Sequence, residues 1–324
     1  MLMTAEELKK AVRFAYSALL GNLIVLGTSA NIFSAINDGI NSTDGIATKY
    51  NYRNKEILRK YLDTSVKYHI LEEENGEYIL TGSFLNKIDN EELKISKITE
   101  DFTTYASALM RFFNHYLIDR NHPYVTTSFI NDSDVWSLWL ENRWFRLSRE
   151  VIASECKIDK GEALLDVGCG SSSPAYYGKL VGPYGRVLGI DKSGGLIDVA
   201  EKRIKKLGYG WISVKKSNIE QSCIFKEKYD IAVLADVLQY VRNIKKVLYT
   251  IDTAIKRNGR IIIFTPCFAD SEEDHVPMME FINAHVKDYV NNVSREEVEK
   301  ELSHLGYEMK EVSEKSMLLM AQKL

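Results

Sequence analysis

The chain has little cysteine, and what it has is scattered: Cys156, Cys169, Cys223 and Cys267 stand far apart with no paired spacing. That excludes a zinc knuckle and a disulfide framework, offers no metal site, and fits a reducing cytoplasm. An excess of charge of one sign is also missing. The 42 Lys and Arg against 45 Asp and Glu leave a formal net charge of −3, so the chain as a whole carries no electrostatic footprint for nucleic acid or an anionic membrane. The early residues Glu6, Glu7, Lys9 and Lys10 do not form a basic stretch, an apolar stretch and a small-residue cleavage site in that order, so no secretion leader is expected. A long apolar run is absent too. Phe14 to Asn37 is uncharged, but Gly21, Asn22, Gly27 and Asn31 interrupt it before about 20 apolar residues accumulate. Buried or dimer-facing helices are expected there rather than a membrane span.

What is present is enough chain for two domains, since 324 residues exceed one comfortable core. Between 42 and 80 the pattern is short helix, longer helix, hairpin. Ser42 or Thr43 can cap "GIATKYN", Asn54 can cap "KEILRKYLDTSVKYHI", and Ile57, Leu58, Tyr61, Leu62 and Val66 recur at helical spacing. Asn75-Gly76 is a hairpin tip within "HILEEENGEYILTG". This order makes a winged helix. Arg53, Lys55, Arg59, Lys60 and Lys67 on the second helix could face DNA, but Glu72, Glu73, Glu74 and Glu77 on the wing would repel phosphates, so nucleic acid is disfavoured and a dimerising module favoured.

From 95 to 160 the sequence reads as a helical connection. Phe102, Tyr105, Ala106, Leu109, Phe112, Phe113, Tyr116 and Leu117 keep helical spacing, and Trp136, Trp139, Trp144 and Phe145 add an aromatic cluster. Such stripes pack a core, and they also suit the wall of an acceptor pocket.

From 162 onward strands and helices alternate: "EALLDVG", a helix near 174 to 181, "GRVLGID", a helix from Gly195 to Leu207, "WISVKKS", "KYDIAVLAD", a helix near 243 to 257, and "GRIIIFT". Alternation implies a parallel sheet with crossover helices, and a ligand then sits beyond the C-terminal strand ends. The turn in "LLDVGCGSSSP" stands at such an end. Asp191 closes the second strand roughly 20 residues after Gly170, where a carboxylate accepts the hydroxyls of a ribose. Asp166, two residues before Gly168, suits a cofactor with a cationic amino acid portion better than a pyrophosphate; the alternative is that it braces the loop by accepting N–H groups.

Five segments in this order resemble the class I S-adenosylmethionine-dependent methyltransferases: "LLDVGCG", "VLGIDKS", "KYDIAVLADVLQYV", "AIKRNGRIIIF" with its "LKPGG"-like turn, and "VSREEVEKELSHLGYEMKEV" with "EKSMLLMAQKL". The resemblance implies an α/β fold, a Rossmann-like seven-stranded methyltransferase sheet, with S-adenosyl-L-methionine as cofactor. It implies that Gly168, Cys169 and Gly170 approach the methionine portion with Asp166 nearby, that Asp191 binds the ribose with Lys192 beside the adenine, that Asn218 and Ile219 meet the adenine edge and face, and that Ala235 ends the fourth strand. The N-terminal part is similar in layout to that of small-molecule O-methyltransferases with an N-terminal, mainly α winged-helix domain. The expected organisation is therefore 1–94 winged-helix-like and dimerising, 95–160 connection and pocket wall, 161–324 cofactor-binding, in a cytoplasmic homodimer acting on a small-molecule acceptor.

The subfamily commonly places a histidine base where this chain has Gln239, and glutamine takes no proton at neutral pH. That leaves a base elsewhere, an acceptor needing none, or a cofactor-sensing regulator without catalysis. His275 is a candidate base, although among the acids of "FADSEEDHVPMM" it reads more readily as an exposed loop histidine; His115 and His122 are further candidates, and Asp236 can orient a substrate or bond the loop backbone. Ser172 stands where the family most often has a third glycine, and its Cβ calls for negative φ.

Overall fold

The computed structural model describes residues 19–23, 26–27, 30–81, 97–221, 225–266, 268–312 and 317–324. Cys223 and Cys267, and parts of the uncharged segment 14–37, lie outside them. In chain order the elements are α1 (Ile32–Asn37), α2 (Thr43–Tyr50), α3 (Lys55–Lys67), β1 (Leu71–Glu74), β2 (Glu77–Leu80), α4 (Lys97–Met110), α5 (Phe113–Ile118), α6 (Ser133–Leu140), α7 (Arg143–Glu155) and β3 (Ala163–Val167). Then follow α8 (Ser173–Val181), β4 (Arg186–Asp191), α9 (Gly194–Leu207), β5 (Ile212–Lys216), β6 (Tyr229–Ala235), α10 (Ile244–Asp252), β7 (Ile255–Phe264), α11 (Val276–Asn283), α12 (Arg295–His304), β8 (Tyr307–Lys310) and β9 (Leu318–Lys323).

The described residues fall into two compact units. One holds those up to Thr127 together with Asp274–Tyr289; the other holds Ser128–Glu273 and Val290–Leu324. The grouping cuts the expected connection in two and takes α11 out of the C-terminal half.

In the first unit the helix starts follow their caps. Ser42 accepts from Gly45 N and Asn54 from Ile57 N, so each cap satisfies one free N–H in the first turn of α2 and α3. Asn75 and Gly76, both at positive φ, turn β1 back on β2 with Leu71 opposite Leu80. Ile57, Leu58, Tyr61 and Leu62 of the α3 stripe are buried as their spacing predicts, and Val66 is half-buried. Tyr61 packs 5.1 Å from Phe113 and 5.7 Å from Phe281 of α11, centroid to centroid, and its hydroxyl donates to Leu23 O. The aromatic helix of the connection breaks after Met110, yet Phe102, Leu109, Phe113, Tyr116 and Leu117 are all fully buried.

The second unit is built on a seven-stranded sheet of order β5-β4-β3-β6-β7-β9-β8. The first five of its strands in sequence run parallel, and β9 enters antiparallel between β7 and β8. This is the Rossmann-like methyltransferase sheet. All five residues of central strand β3 are buried, Asp166 included, as a strand covered on both faces requires. The chain moves from β3 to β4 on one side and later returns to β6 on the other, so the strand order reverses between β3 and β6 and opens a crevice at their C-terminal ends. Two details differ from the sequence reading. Helix α10 stops at Asp252 instead of about 257, and the "KRNG" turn is a bulge inside β7, where pairing steps from Tyr229–Ile255 to Ile231–Arg260 around Asn258 at φ +61°. Among the described residues no helix is long and apolar enough to cross a membrane.

Candidate active site

The glycine turn follows directly from β3. Gly168 and Gly170 take φ of +67° and +58°, which exposes two successive N–H groups, Gly168 N and Cys169 N, to Ile190 O at 2.8 and 3.0 Å. The turn is also tight. A Cβ on Gly168 would lie 2.5 Å from Val237 Cγ2, and one on Gly170 would lie 2.7 Å from Leu140 Cδ1. Ser172 keeps negative φ, −120°, as its Cβ demands, and α8 starts at the next residue with Pro174 in its first turn.

The two acids are both buried and do different work. Asp191 braces the loop: Oδ2 accepts from Gly170 N at 2.9 Å and Oδ1 from Ser193 N at 2.8 Å. The bracing role that was open for Asp166 therefore belongs to Asp191. Burial raises the Asp191 carboxyl above its ordinary range, with the Ser193 and Gly170 N–H groups pulling the other way. Asp166 accepts instead from the Ser173 hydroxyl, whose oxygen also lies 2.7 Å from Cys169 O. The one hydroxyl proton is shared between the two oxygens. Burial pushes Asp166 up to about 7; the Ser173 hydrogen bond and the Arg149 charge oppose this, and the Asp191 charge adds to it.

Around the turn the sheet unit gathers the remaining expected residues. Ser217 N bonds Asp191 O, which brings Asn218 and buried Ile219 beside the end of β4, and Asn218 Oδ1 accepts from Glu220 N. Lys192 Nζ stands 4.6 Å from the centre of the Phe129 ring, itself 5.1 Å from Tyr240. Phe129 was not singled out from sequence, because it precedes the helical spacing that exposes the other aromatics. A polar clamp was missed as well: Arg203 of α9 bonds Ser171 O and Ser172 Oγ and pairs with Glu141, which also takes the Ser172 hydroxyl.

Ala235 ends β6, and the residues after it hold the unusual geometry. Asp236 has φ +56° and donates its N–H to Phe264 O. Burial pushes its carboxyl up to about 7, opposed by a hydrogen bond from the Gln239 side chain. Gln239 is buried in a single 3-10 turn, Leu238–Tyr240, and its carbonyl accepts from Val290 N and Asn291 N. Asp236 Oδ1 and Gln239 Oε1 are buried without a hydrogen-bond partner. His275 is not the exposed loop histidine expected: it is 3% exposed, precedes α11, and belongs to the helical unit. His275 is the N-cap of that helix, and Pro277 lies in its first turn. His115 and His122 pack ring to ring at 4.7 Å in the same unit. A histidine passed over in the sequence, His285, is fully buried there, with Nδ1 2.8 Å from Phe281 O and Nε2 unpartnered; burial lowers its pKa to about 4. Among the described residues no cluster of His, Cys, Asp or Glu is arranged for a metal.

The donor set fits a ligand with a cation and a diol. A glycine cradle without side chains, a buried Asp166 that forms no ion pair among the described residues, and Asp191 with lone pairs beyond its two N–H bonds all match S-adenosylmethionine. Residues 158–315 match a family described as "Methyltransferase domain". An uncharacterised protein of Methanocaldococcus jannaschii is 30% identical over 321 residues, covering 98% of this chain and 87% of that one. The chain belongs to the class I S-adenosylmethionine-dependent methyltransferases. S-adenosylmethionine is its cofactor. Among relatives of this methyltransferase, a demethylmenaquinone methyltransferase of Geobacillus kaustophilus is 28% identical over 115 residues, 35% of this chain and 49% of that enzyme. The CurJ carbon methyltransferase shares the fold over 96% of this chain and 98% of its own, with TM-score 0.63 at 13% identity. An O-methyltransferase from neocarzinostatin biosynthesis, solved with S-adenosyl-L-homocysteine and 1,4-dihydroxy-2-naphthoic acid, aligns over 94% of this chain and 96% of its own at TM-score 0.50 and 15% identity.

Proposed function

We propose that this methyltransferase transfers the methyl group of S-adenosylmethionine to a small-molecule acceptor. The observation that carries the reading is the pairing of two buried acids with the glycine cradle, because Asp166 and Asp191 offer one site for a cation and one for hydroxyls within a single turn. Small acceptors are supported by fold neighbours, including the O-methyltransferase solved with 1,4-dihydroxy-2-naphthoic acid.

When bound, the cofactor supplies a sulfonium methyl group, an electrophile that needs an aligned nucleophile more than it needs acid or base help. Gly168, Cys169 and Gly170 would hold the methionine portion by backbone approach. Asp166, close to neutral while the site is empty of cations, would ionise beside the amino group and so convert a buried acid into half of an ion pair. Asp191 would take the ribose hydroxyls, Lys192 would flank the adenine, Asn218 and Ile219 would meet its edge and face, and Ala235 would leave room at the end of β6. The N-terminal helices and hairpin would form a winged-helix dimerisation module in a cytoplasmic homodimer, testable by light scattering.

Calorimetry with S-adenosylhomocysteine tests the cofactor site: micromolar binding that Asp191→Ala weakens at least tenfold is expected, and no binding at millimolar ligand would sink the reading. Labelled methyl transfer into fractionated small-molecule extract, followed by mass spectrometry, identifies the acceptor.

Gln239, standing where the resemblance expects a base, favours a second reading as a cofactor-sensing regulator that binds DNA or a partner. Against DNA, Lys60 of the would-be recognition helix pairs with Glu280 of α11, and Glu72, Glu73, Glu74 and Glu77 are exposed on the hairpin. A salt-dependent DNA mobility shift with no turnover on any acceptor pool would establish this reading instead.

A further inference from the structure

Two buried oxygens without a hydrogen-bond partner lie just after β6. Asp236 holds φ +56° while carrying a side chain, a region where Asp and Asn are the best tolerated residues after glycine. Strain of this kind clusters at functional positions. Interiors rarely leave a buried acceptor without a donor, yet here two stand three residues apart, Asp236 Oδ1 and Gln239 Oε1. The pair adjoins the glycine turn: Val167 is in register with Leu234 on β6, and Val237 packs directly on Gly168. Both atoms are acceptors, so they match a group that brings polar hydrogens and mismatch an anion.

We propose that Asp236 is the proton acceptor of the methyl transfer and that, with Gln239, it selects an acceptor bearing polar hydrogens at its methylated end, an amine or a hydroxyl, over a carboxylate. The inference rests on the methyl-transfer reading above. The acceptor's N–H or O–H proton passes to Asp236 Oδ1 while its lone pair forms the bond to the methyl carbon; the carbon–sulfur bond breaks and its electron pair stays on sulfur. Sulfur thus loses its positive charge as the carboxylate loses its negative one. Gln239 is a positioning residue for the carboxyl, and with an amine acceptor its Oε1 takes the second N–H. A carboxyl held near 7 is matched to proton transfer at neutral pH.

Asp236→Asn is the decisive variant, because asparagine is isosteric and tolerates the same backbone. Three readouts are needed: affinity for S-adenosylhomocysteine, carbon-13 NMR titration of the Asp carboxyls, and labelled methyl transfer into fractionated extract between pH 5.5 and 8.5. Expected are an affinity within about twofold of wild type, loss of one carboxyl titration near 7, and a rate drop of about 10²–10⁴-fold. Wild-type transfer should rise with pH through about 7, and Asp236→Asn with Gln239→His should regain activity with a profile moved toward the imidazole range. Transfer by Asp236→Asn within threefold of wild type overturns the proton-acceptor role alone; a methyl ester as product overturns the acceptor class alone. No transfer by wild type overturns the methyl-transfer reading and this inference with it. Should Asp236→Asn fail to bind S-adenosylhomocysteine, Gln239→Leu decides: a KM raised about tenfold with kcat little changed supports positioning, and unchanged KM overturns it.

Discussion

Two turns lie side by side at the C-terminal ends of β3 and β6, and each bends the chain through positive φ. After β3 the bend is made by Gly168 and Gly170, where nothing but backbone is wanted and a Cβ would strike Val237 or Leu140. After β6 the same kind of bend is made by Asp236, at a cost of about 1–2 kcal/mol that glycine would avoid. The contrast separates the two jobs. One turn presents main chain to a ligand; the other keeps a side chain in a strained place, which is reasonable only if the carboxyl is needed there.

Substitutions that exchange these roles give the sharpest tests. Gly168→Ala should have the largest effect, a loss of about 3 kcal/mol in denaturant unfolding, from positive φ and overlap with Val237 together. Asp191→Ala leaves the Gly170 and Ser193 N–H groups without their carboxylate and should cost about 2 kcal/mol in the same measurement. Asp236→Asn should do the reverse. Its folded pKa near 7 lies above the ordinary value of 3.8, so the native state keeps a proton the unfolded chain has lost, and stability declines as pH rises from about 4 to about 7. Removing the carboxyl removes the decline, and the variant should be more stable than wild type at pH 8 and no more stable at pH 4. Asp236→Gly should add about 1 kcal/mol more by releasing the backbone. Glu141→Gln should change stability least, by under about 1 kcal/mol, since its pair with Arg203 is half exposed. If Asp236→Asn proves destabilising at pH 8, the contrast between the two turns fails.

The fold was legible where local chemistry and periodicity agreed. Alternation after 162, the caps at Ser42 and Asn54, the Asn75-Gly76 tip and the buried stripe of α3 all follow from residue spacing alone. Asp191 and the glycines were legible because a turn that exposes N–H groups has few compatible sequences. Distance along the chain hid the rest. Ser173 reaches Asp166 through the helix start, Arg203 reaches Glu141 and Ser172 from a helix on the next strand crossover, and Phe129 meets Lys192 across more than sixty residues. His275 and His285 were misjudged or missed because acidic neighbours in sequence say little about burial once a helix turns the side chain inward. The strain at Asp236 has no sequence signature at all; only the backbone reveals it.

The ends of the seven-stranded sheet carry a different lesson. Strand β5 lies at one edge and β8 at the other, each with one row of main-chain groups facing outward. Open rows of that kind invite a strand from another molecule and lead toward aggregation. Here Lys215 and Lys216 are exposed on β5, while β8 carries Glu308 and Lys310 paired with each other. Charged gatekeepers at both rims make addition of a foreign strand unfavourable.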